Sequence, residues 1–261
     1  MTAKPDQPAS GPVGDAGGTS PDASDAAHAP GPSDASSASI AVRRVRWAEA
    51  CRIVPTRHPT IYLYDRVADA ADFDALYALE AMTNDRLRDE AGAIELVPPA
   101  ERRFGPGAGP VMAAFTHVNR DGSRFSDGSY GMFYAARDRA TAVAETQHHH
   151  GLFLAATAQG PLHLPMRLYR VAIDARLHDL RPPGAVDDAV YDSASYAASR
   201  ALGAALRRAG SAGVAYRSVR RAGGDCAGLF TPRGAGGCVQ AAVLLYVWDG
   251  AAFGDVYEKV G

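Results

Sequence analysis

The sequence predicts an α+β fold: a single domain on a twisted, mixed or antiparallel sheet flanked by helices, preceded by a tail that takes no part in it. Three observations carry this. Strand-like and helix-like segments follow one another irregularly, without the regular βαβ repeat of a doubly wound sheet. The run from Cys238 to Trp248 is apolar nearly throughout, as a strand lying inside a sheet is. The first 40 residues differ from everything after them, since Ala, Gly, Pro and Ser supply 27 of them and none is aromatic.

That tail has almost nothing to bury, so burial cannot offset the entropy of ordering it. Residues 1–40 are expected to be disordered, residues 44–250 to form the domain, and residues 251–261 to extend beyond it. Ile61 to Val67 is aromatic and β-branched and reads as a strand. Asp72 to Glu90 places Phe73, Leu76, Tyr77, Leu79 and Leu87 at roughly helical spacing, with Asp72 as the expected cap. Pro98 to Gly109 reads as a loop, Val111 to Val118 as a strand, and Gly122 to Gly131 as a polar connection. Met132 to Ala136 is a short strand. A helix follows from Asp138, its N-cap, to about His149. Met166 to Ile173 alternates as a strand does. Asp187 to Ala209 is Ala-rich and helical by propensity, ending at Gly210. Val214 to Val219 and Val239 to Trp248 are two further strands.

Charge narrows the function classes. Of the 27 Lys and Arg, only Lys4 lies in the tail, and of the 29 Asp and Glu five do, so the folded part holds 26 basic and 24 acidic residues. That balance is not the basic excess of a nucleic-acid surface. The three cysteines, Cys51, Cys226 and Cys238, are too few and too scattered for a disulfide framework. No N-terminal apolar segment reads as a signal peptide, and the longest apolar run is too short to span a bilayer. The cytoplasm is the expected location, with no membrane and no direct nucleic-acid partner.

Several local patterns invite chemistry. Phe104 to Pro110, FGPGAGP, has spaced glycines, but a dinucleotide fingerprint needs a strand before it and a helix after it. Here Arg102 and Arg103 precede it and a strand is expected to follow. His148, His149 and His150 fan over about 200° of a helix, whereas a zinc helix uses positions i and i+4. They read as a solvated helix end, where cations suit the dipole, and no metal is expected. Cys226 sits in a glycine-flanked loop with no base marked for it, and reads as an ordinary thiol. The informative stretch is Ser123 to His148, which orders an arginine, a turn, a tyrosine on a strand and a glutamate on the next helix. Taken alone, Arg124, Tyr134 and Glu145 read rather as a surface cation, a core aromatic and a solvated acid.

This stretch resembles the signature of the RES domain, a family named for an Arg, a Glu and a Ser. The matching pieces are Arg124-Phe125-Ser126, Gly128, Tyr134-Ala135-Ala136 and Ala142-Val143-Ala144-Glu145. The family's downstream serine is matched by Ser218 in Tyr216-Arg217-Ser218-Val219. Upstream, Arg52 to Arg57 resembles the start of the domain, although His58 follows Arg57 where the family usually has an aromatic residue. The likeness runs from about Arg44 to Asp249.

The resemblance implies an ADP-ribosyltransferase-like fold and a site that consumes NAD as substrate rather than holding it as cofactor. It implies Glu145, Arg124 and Ser218 as catalytic residues, and Arg57, Arg124, Tyr134 and Ser218 as NAD-binding residues. Characterised members are the toxin halves of toxin–antitoxin pairs, so an Xre-like antitoxin is the implied protein partner. Three readings stay open: an NAD glycohydrolase or phosphorylase, a protein ADP-ribosyltransferase on the same site, and an inactive RES-like binding module.

Overall fold

The computed structural model describes residues 40–58, 61–67, 69–80 and 89–259. The expectations for residues 1–39, and for the second half of the Asp72–Glu90 helix through residue 88, lie outside the described residues. The order of elements is β1 (Val42–Pro55), α1 (Ala70–Glu80), α2 (Gly109–Thr116), β2 (Phe133–Ala136), α3 (Arg139–Ala156) and β3 (Leu162–Asp179). It continues with α4 (Ala197–Arg208), β4 (Gly213–Arg217), β5 (Asp225–Leu229), β6 (Val239–Trp248) and β7 (Phe253–Glu258). The fold is α+β, as the sequence predicts, on one seven-stranded sheet ordered β1-β2-β5-β4-β3-β6-β7. The β3–β4 pairing is parallel and the others are antiparallel, which makes the sheet mixed.

β3 organises the sheet. One edge pairs with β1 from Met166 to His178. The other pairs with β6 from Leu162 to Arg170 and with β4 only at His178 and Asp179. β1 also touches β2 at Cys51–Ala136, so β1, β2, β5, β4 and β3 close on themselves. Both faces are covered, which gives two cores. Phe133 and Ala135 of β2 point into one, with Ala215, Ala227 and Leu229. Met132 and Ala136 point into the other, with Tyr216 and Cys226, as the period of two requires.

Several expectations need correction. Residues 61–67 form turns, closed by Asp65 N–H to Tyr62 O (3.1 Å) and Arg66 N–H to Leu63 O (3.4 Å). Ile61, Leu63, Tyr64 and Val67 are buried nonetheless, with Tyr64 stacked 5.4 Å from Phe73 and Tyr62 left exposed, and it is this burial that the sequence was signalling. The α1 cap is Asp69, not Asp72: its Oδ1 accepts from Ala71 N (2.8 Å) and Asp72 N (3.0 Å). Val111 to Val118 is not a strand. Pro110 starts α2 there, the run favours a helix through Ala and Met, and the Asp65 carboxylate takes the N–H groups of Gly107 (3.1 Å) and Gly109 (2.6 Å). FGPGAGP is thus followed by a helix, yet among the described residues no strand runs directly into it, and the anion at the helix entrance is the protein's own.

Asp138 does cap α3, accepting from Thr141 N at 2.8 Å, but the helix runs to Ala156. The Asp187–Ala209 segment is a 3-10 turn (Asp188–Tyr191) and then α4, broken where Asp192 Oδ1 accepts from Ala194 and Ser195 N–H. Gly210 ends it with φ +76°, as expected of a helix stop. The loop assigned to Cys226 is strand β5. β7, within the expected C-terminal extension, pairs with β6 from Leu244 to Trp248. β1 was not anticipated, because a register shift between Trp47 and Ala50 breaks its alternation. Among the described residues no helix is long and apolar enough to cross a membrane.

Ile40, counted with the tail by composition, is 6 % exposed and belongs to the core that holds Tyr216. Ile40→Ala should therefore cost about 2–4 kcal/mol, read as a lowered urea midpoint at unchanged slope. An unchanged midpoint would show that the side chain contributes no packing.

Candidate active site

α3 leaves the β2 edge at its Asp138 cap, so Glu145 stands about two turns into the helix. Ser218 follows the last residue of β4. The fold joins them: Ser218 Oγ donates to Glu145 Oε1 at 2.6 Å. The serine is 8 % exposed. Its hydroxyl accepts the N–H groups of Arg220 and Arg221, both at 3.0 Å, while its own N–H donates to Gly224 O at 2.8 Å. A hydroxyl has one donor and two acceptor positions, and all three are filled. In this geometry Ser218 holds the glutamate.

Arg124 is 6 % exposed. Its Nη1 donates to Val190 O (3.2 Å) and Asp192 O (3.1 Å), and its guanidinium lies 4.5 Å from the Tyr196 ring centroid. Nη2 is buried without a hydrogen-bond partner among the described residues. The cation thus keeps one terminal nitrogen in reserve rather than a whole fork.

Tyr134 hangs its ring over Gly228, its partner on β5; a Cβ there would sit 3.0 Å from Tyr134 Cε1. The phenol meets Ser123 Oγ at 2.8 Å, accepts from Phe125 N at 3.1 Å and contacts Met132 Sδ at 3.1 Å. Burial pushes its pKa up, so it stays a neutral phenol.

Glu145, Arg124 and Tyr134 line one cavity of about 430 Å³, a size typical of small-molecule sites. Ser218 reaches it through Glu145. Arg57 is not brought in: it is exposed, with its guanidinium 5.9 Å from the ring of Phe153, a residue on the cavity wall. Three further wall residues were not singled out as site residues from sequence: Arg52, His149 and Tyr196. Arg52 Nη1 donates to Tyr134 O at 3.0 Å and its guanidinium stacks 4.6 Å from Phe133, while Nε is buried without a partner among the described residues. Its signal was lost with β1. Tyr196 carries Arg124 on its face, and nothing in the local sequence marks it. A second cavity of about 650 Å³ adjoins the first and shares Arg52, Asn119, Gly122, Ser123 and Tyr134 with it.

The histidines differ from their reading as a cationic helix end, although His149 is exposed and His148 and His150 are half-buried. They lie mid-helix, and burial lowers the pKa of His148, His149 and His150. His150, with Arg57 and His149 also disfavouring its charge, falls to about 4. Cys226 is buried on β5 and burial pushes its thiol up, away from nucleophile chemistry.

This constellation, with the order Arg, Tyr, Glu, Ser along the chain, is that of a family. Residues 100–249 match the RES domain, and the chain belongs to the RES-domain family. A protein of Sinorhizobium fredii (strain NBRC 101917 / NGR234), described as uncharacterized protein y4oC, is 28 % identical over 211 residues, covering 80 % of this chain and 86 % of that one. Among solved structures, the M. tuberculosis MbcT–MbcA toxin–antitoxin complex has a chain that aligns with a TM-score of 0.41 at 14 % identity. The alignment covers 83 % of this chain and 86 % of that one.

His150 yields a pH prediction. A histidine whose folded pKa lies below its ordinary 6.5 binds fewer protons folded than unfolded between those values. Its stabilising effect is present above about pH 6.5 and is lost as pH falls toward 4. Melting temperature should drop across that window, and His150→Gln should flatten the drop. Identical slopes for the two proteins would remove His150 as a source.

Proposed function

We propose that this chain cleaves the bond between nicotinamide and the ribose of NAD. The observation that carries the reading is the 2.6 Å contact of Ser218 with Glu145 on the wall of a cavity that also holds Arg124 and Tyr134. Breaking a glycosidic bond to a neutral leaving group builds positive charge on the ribose, as in an oxocarbenium-like transition state. A carboxylate held still before the charge develops stabilises it without having to reorganise. Glu145 is the catalytic residue in this reading, and Ser218 is the residue that positions it.

Arg124 meets the diphosphate through Nη2. Its Nη1 is spent on two carbonyls, so the contact is single rather than forked. The Tyr134 ring packs beside the nicotinamide. Arg57, outside the cavity, acts as a rim cation that attracts the dinucleotide. Nothing in this chemistry asks for a metal.

The acceptor of the ADP-ribose is water or inorganic phosphate, with a protein side chain as the competing outcome. By its family resemblance, the same reading makes the chain the toxin half of a pair, with an Xre-like antitoxin as partner. Expressed alone, it should lower cellular NAD and stop growth. Unchanged NAD with a labelled cellular protein would mean transfer, and neither effect would mean a binding module.

Variants assign the roles. Glu145→Gln keeps the shape and removes the charge, so kcat should fall about 10²-fold or more with NAD binding nearly intact. Ser218→Ala frees the carboxylate and removes the acceptor of the Arg220 and Arg221 N–H groups, at a cost of about 1–3 kcal/mol, seen chiefly in kcat. Arg124→Lys should raise KM more than it lowers kcat, because the diphosphate is charged in ground and transition states alike. Each variant is checked by circular dichroism. A folded Glu145→Gln protein with unaltered turnover would overturn the assignment.

A further inference from the structure

Between its bridge at Ile173 to Ala235 and its pairing with β4 at His178, one edge of β3 has no strand neighbour among the described residues. A third cavity, of about 560 Å³, lies along that gap. Asp174, Ala175 and Arg176 of β3 form one wall, and Arg207 of α4 and the 3-10 turn Pro232–Gly234 form others. The floor is apolar and largely aromatic, made by the buried Val97, Phe115, Tyr130, Phe230 and Pro232. This cavity shares no residue with the one that holds Glu145, and only Tyr130 and Gly131 with the second.

Positive charge gathers at its mouth. On the exposed face of β1 and β3, Arg44 stands directly opposite Arg176, and Arg46 directly opposite Asp174. Like charges facing each other across a strand pair are destabilising. Asp174 relieves only one side, because it takes the fork of Arg44 (2.7 and 2.8 Å) and Nε of Arg46 (3.3 Å). Arg176 is left without an ion pair among the described residues, and so are Arg207 and Arg233 on the other walls. All three are exposed. Arg233 Nη2 reaches Ala100 O at 2.7 Å, and the Arg207 guanidinium lies 4.5 Å from the Tyr130 ring centroid. Glu101 is the other acid on the wall. The last carbonyls of α4 do not oppose an anion here, since the N–H groups of Gly210 and Ser211 already take those of Arg207 and Leu206, both at 3.0 Å.

A single exposed arginine is ordinarily solvated and carries no argument. Three from separate elements around an aromatic floor are a different arrangement. The floor suits a flat ring. The guanidinium groups suit an anion with several oxygens and more than one charge, whereas a carboxylate fills a single fork. We propose that the third cavity binds a small aromatic phosphate monoester, of mononucleotide size, with Arg176, Arg207 and Arg233 at the phosphate and Tyr130, Phe115 and Phe230 beneath the ring. The site is separate from the cavity of the proposed NAD reaction and does not depend on that reading.

Calorimetry on the full chain tests this with two probes. Phenyl phosphate reads mouth and floor together, and inorganic phosphate reads the mouth alone. Phenyl phosphate should bind at millimolar concentration or below, about tenfold more tightly than inorganic phosphate, because its ring is taken out of water. Arg176→Gln and Arg207→Gln should each weaken both probes about fivefold or more, with a smaller difference at high salt. Leu96→Ser, at an exposed leucine of the wall, should reduce the preference for phenyl phosphate and leave inorganic phosphate unchanged. Melting temperatures close to wild type show that the variants are folded. Arg124→Lys should leave both affinities as they are, and weakening there would move the binding to the first cavity and overturn the assignment. Wild-type affinities in both arginine variants, equal affinity for the two probes, or no binding of phenyl phosphate at millimolar concentration would each overturn it as well.

Discussion

An 18-residue strand inside a sheet must find partners for its amides and carbonyls on both edges, because buried backbone groups left unpaired are costly. β3 meets this demand by changing neighbours. β1 follows one edge almost throughout, while β6 serves the first half of the other edge and β4 takes over only at the last two residues. Between them the bridge from Ile173 to Ala235 fills in. The exchange lets a short ring of strands close around one core while β6 and β7 continue outward. It also sets the end of β4, and with it Ser218, against the helix that follows β2.

The site then follows from ordinary local rules. A period of two turns Tyr134 to one face and Phe133 to the other, and a capped helix places Glu145 two turns on. The β4–β5 connection supplies the N–H groups that saturate the serine. The saturation is informative. A hydroxyl with every position filled has one orientation, so it acts as part of the scaffold. Arg52 and Arg124 show the opposite condition, each with a buried nitrogen unmatched among the described residues. Filled serine and unfilled arginines together separate what holds the cavity from what the cavity is built to hold.

Much of this was legible in the chain. The apolar run of β6, the Asp138 cap, the Gly210 stop and the Arg–Tyr–Glu–Ser order each rest on a local signal that tertiary structure did not override. The misreadings have particular causes. Ile61 to Val67 is apolar because it fills a core from turns, and apolarity alone does not distinguish that from a strand. α2 takes its cap from Asp65, more than forty residues earlier, which no local window contains. The bulge in β1 hid both a strand and Arg52. The histidines misled because the end of α3 was set too early. In each case the deciding contact is distant in sequence.

The Arg124 guanidinium is shared between the cavity and the chain that leads into α4. Its Nη1 is tied to the carbonyls of Val190 and Asp192, and its flat face lies on Tyr196, three anchor points within seven residues. A guanidinium is rigid and planar, so turning one nitrogen toward an incoming anion tilts the others. An anion taken by Nη2 would therefore be felt at residues 190–196, a mostly exposed segment. Amide exchange in that segment would then gauge whether the cavity is full, readable without any chemistry taking place.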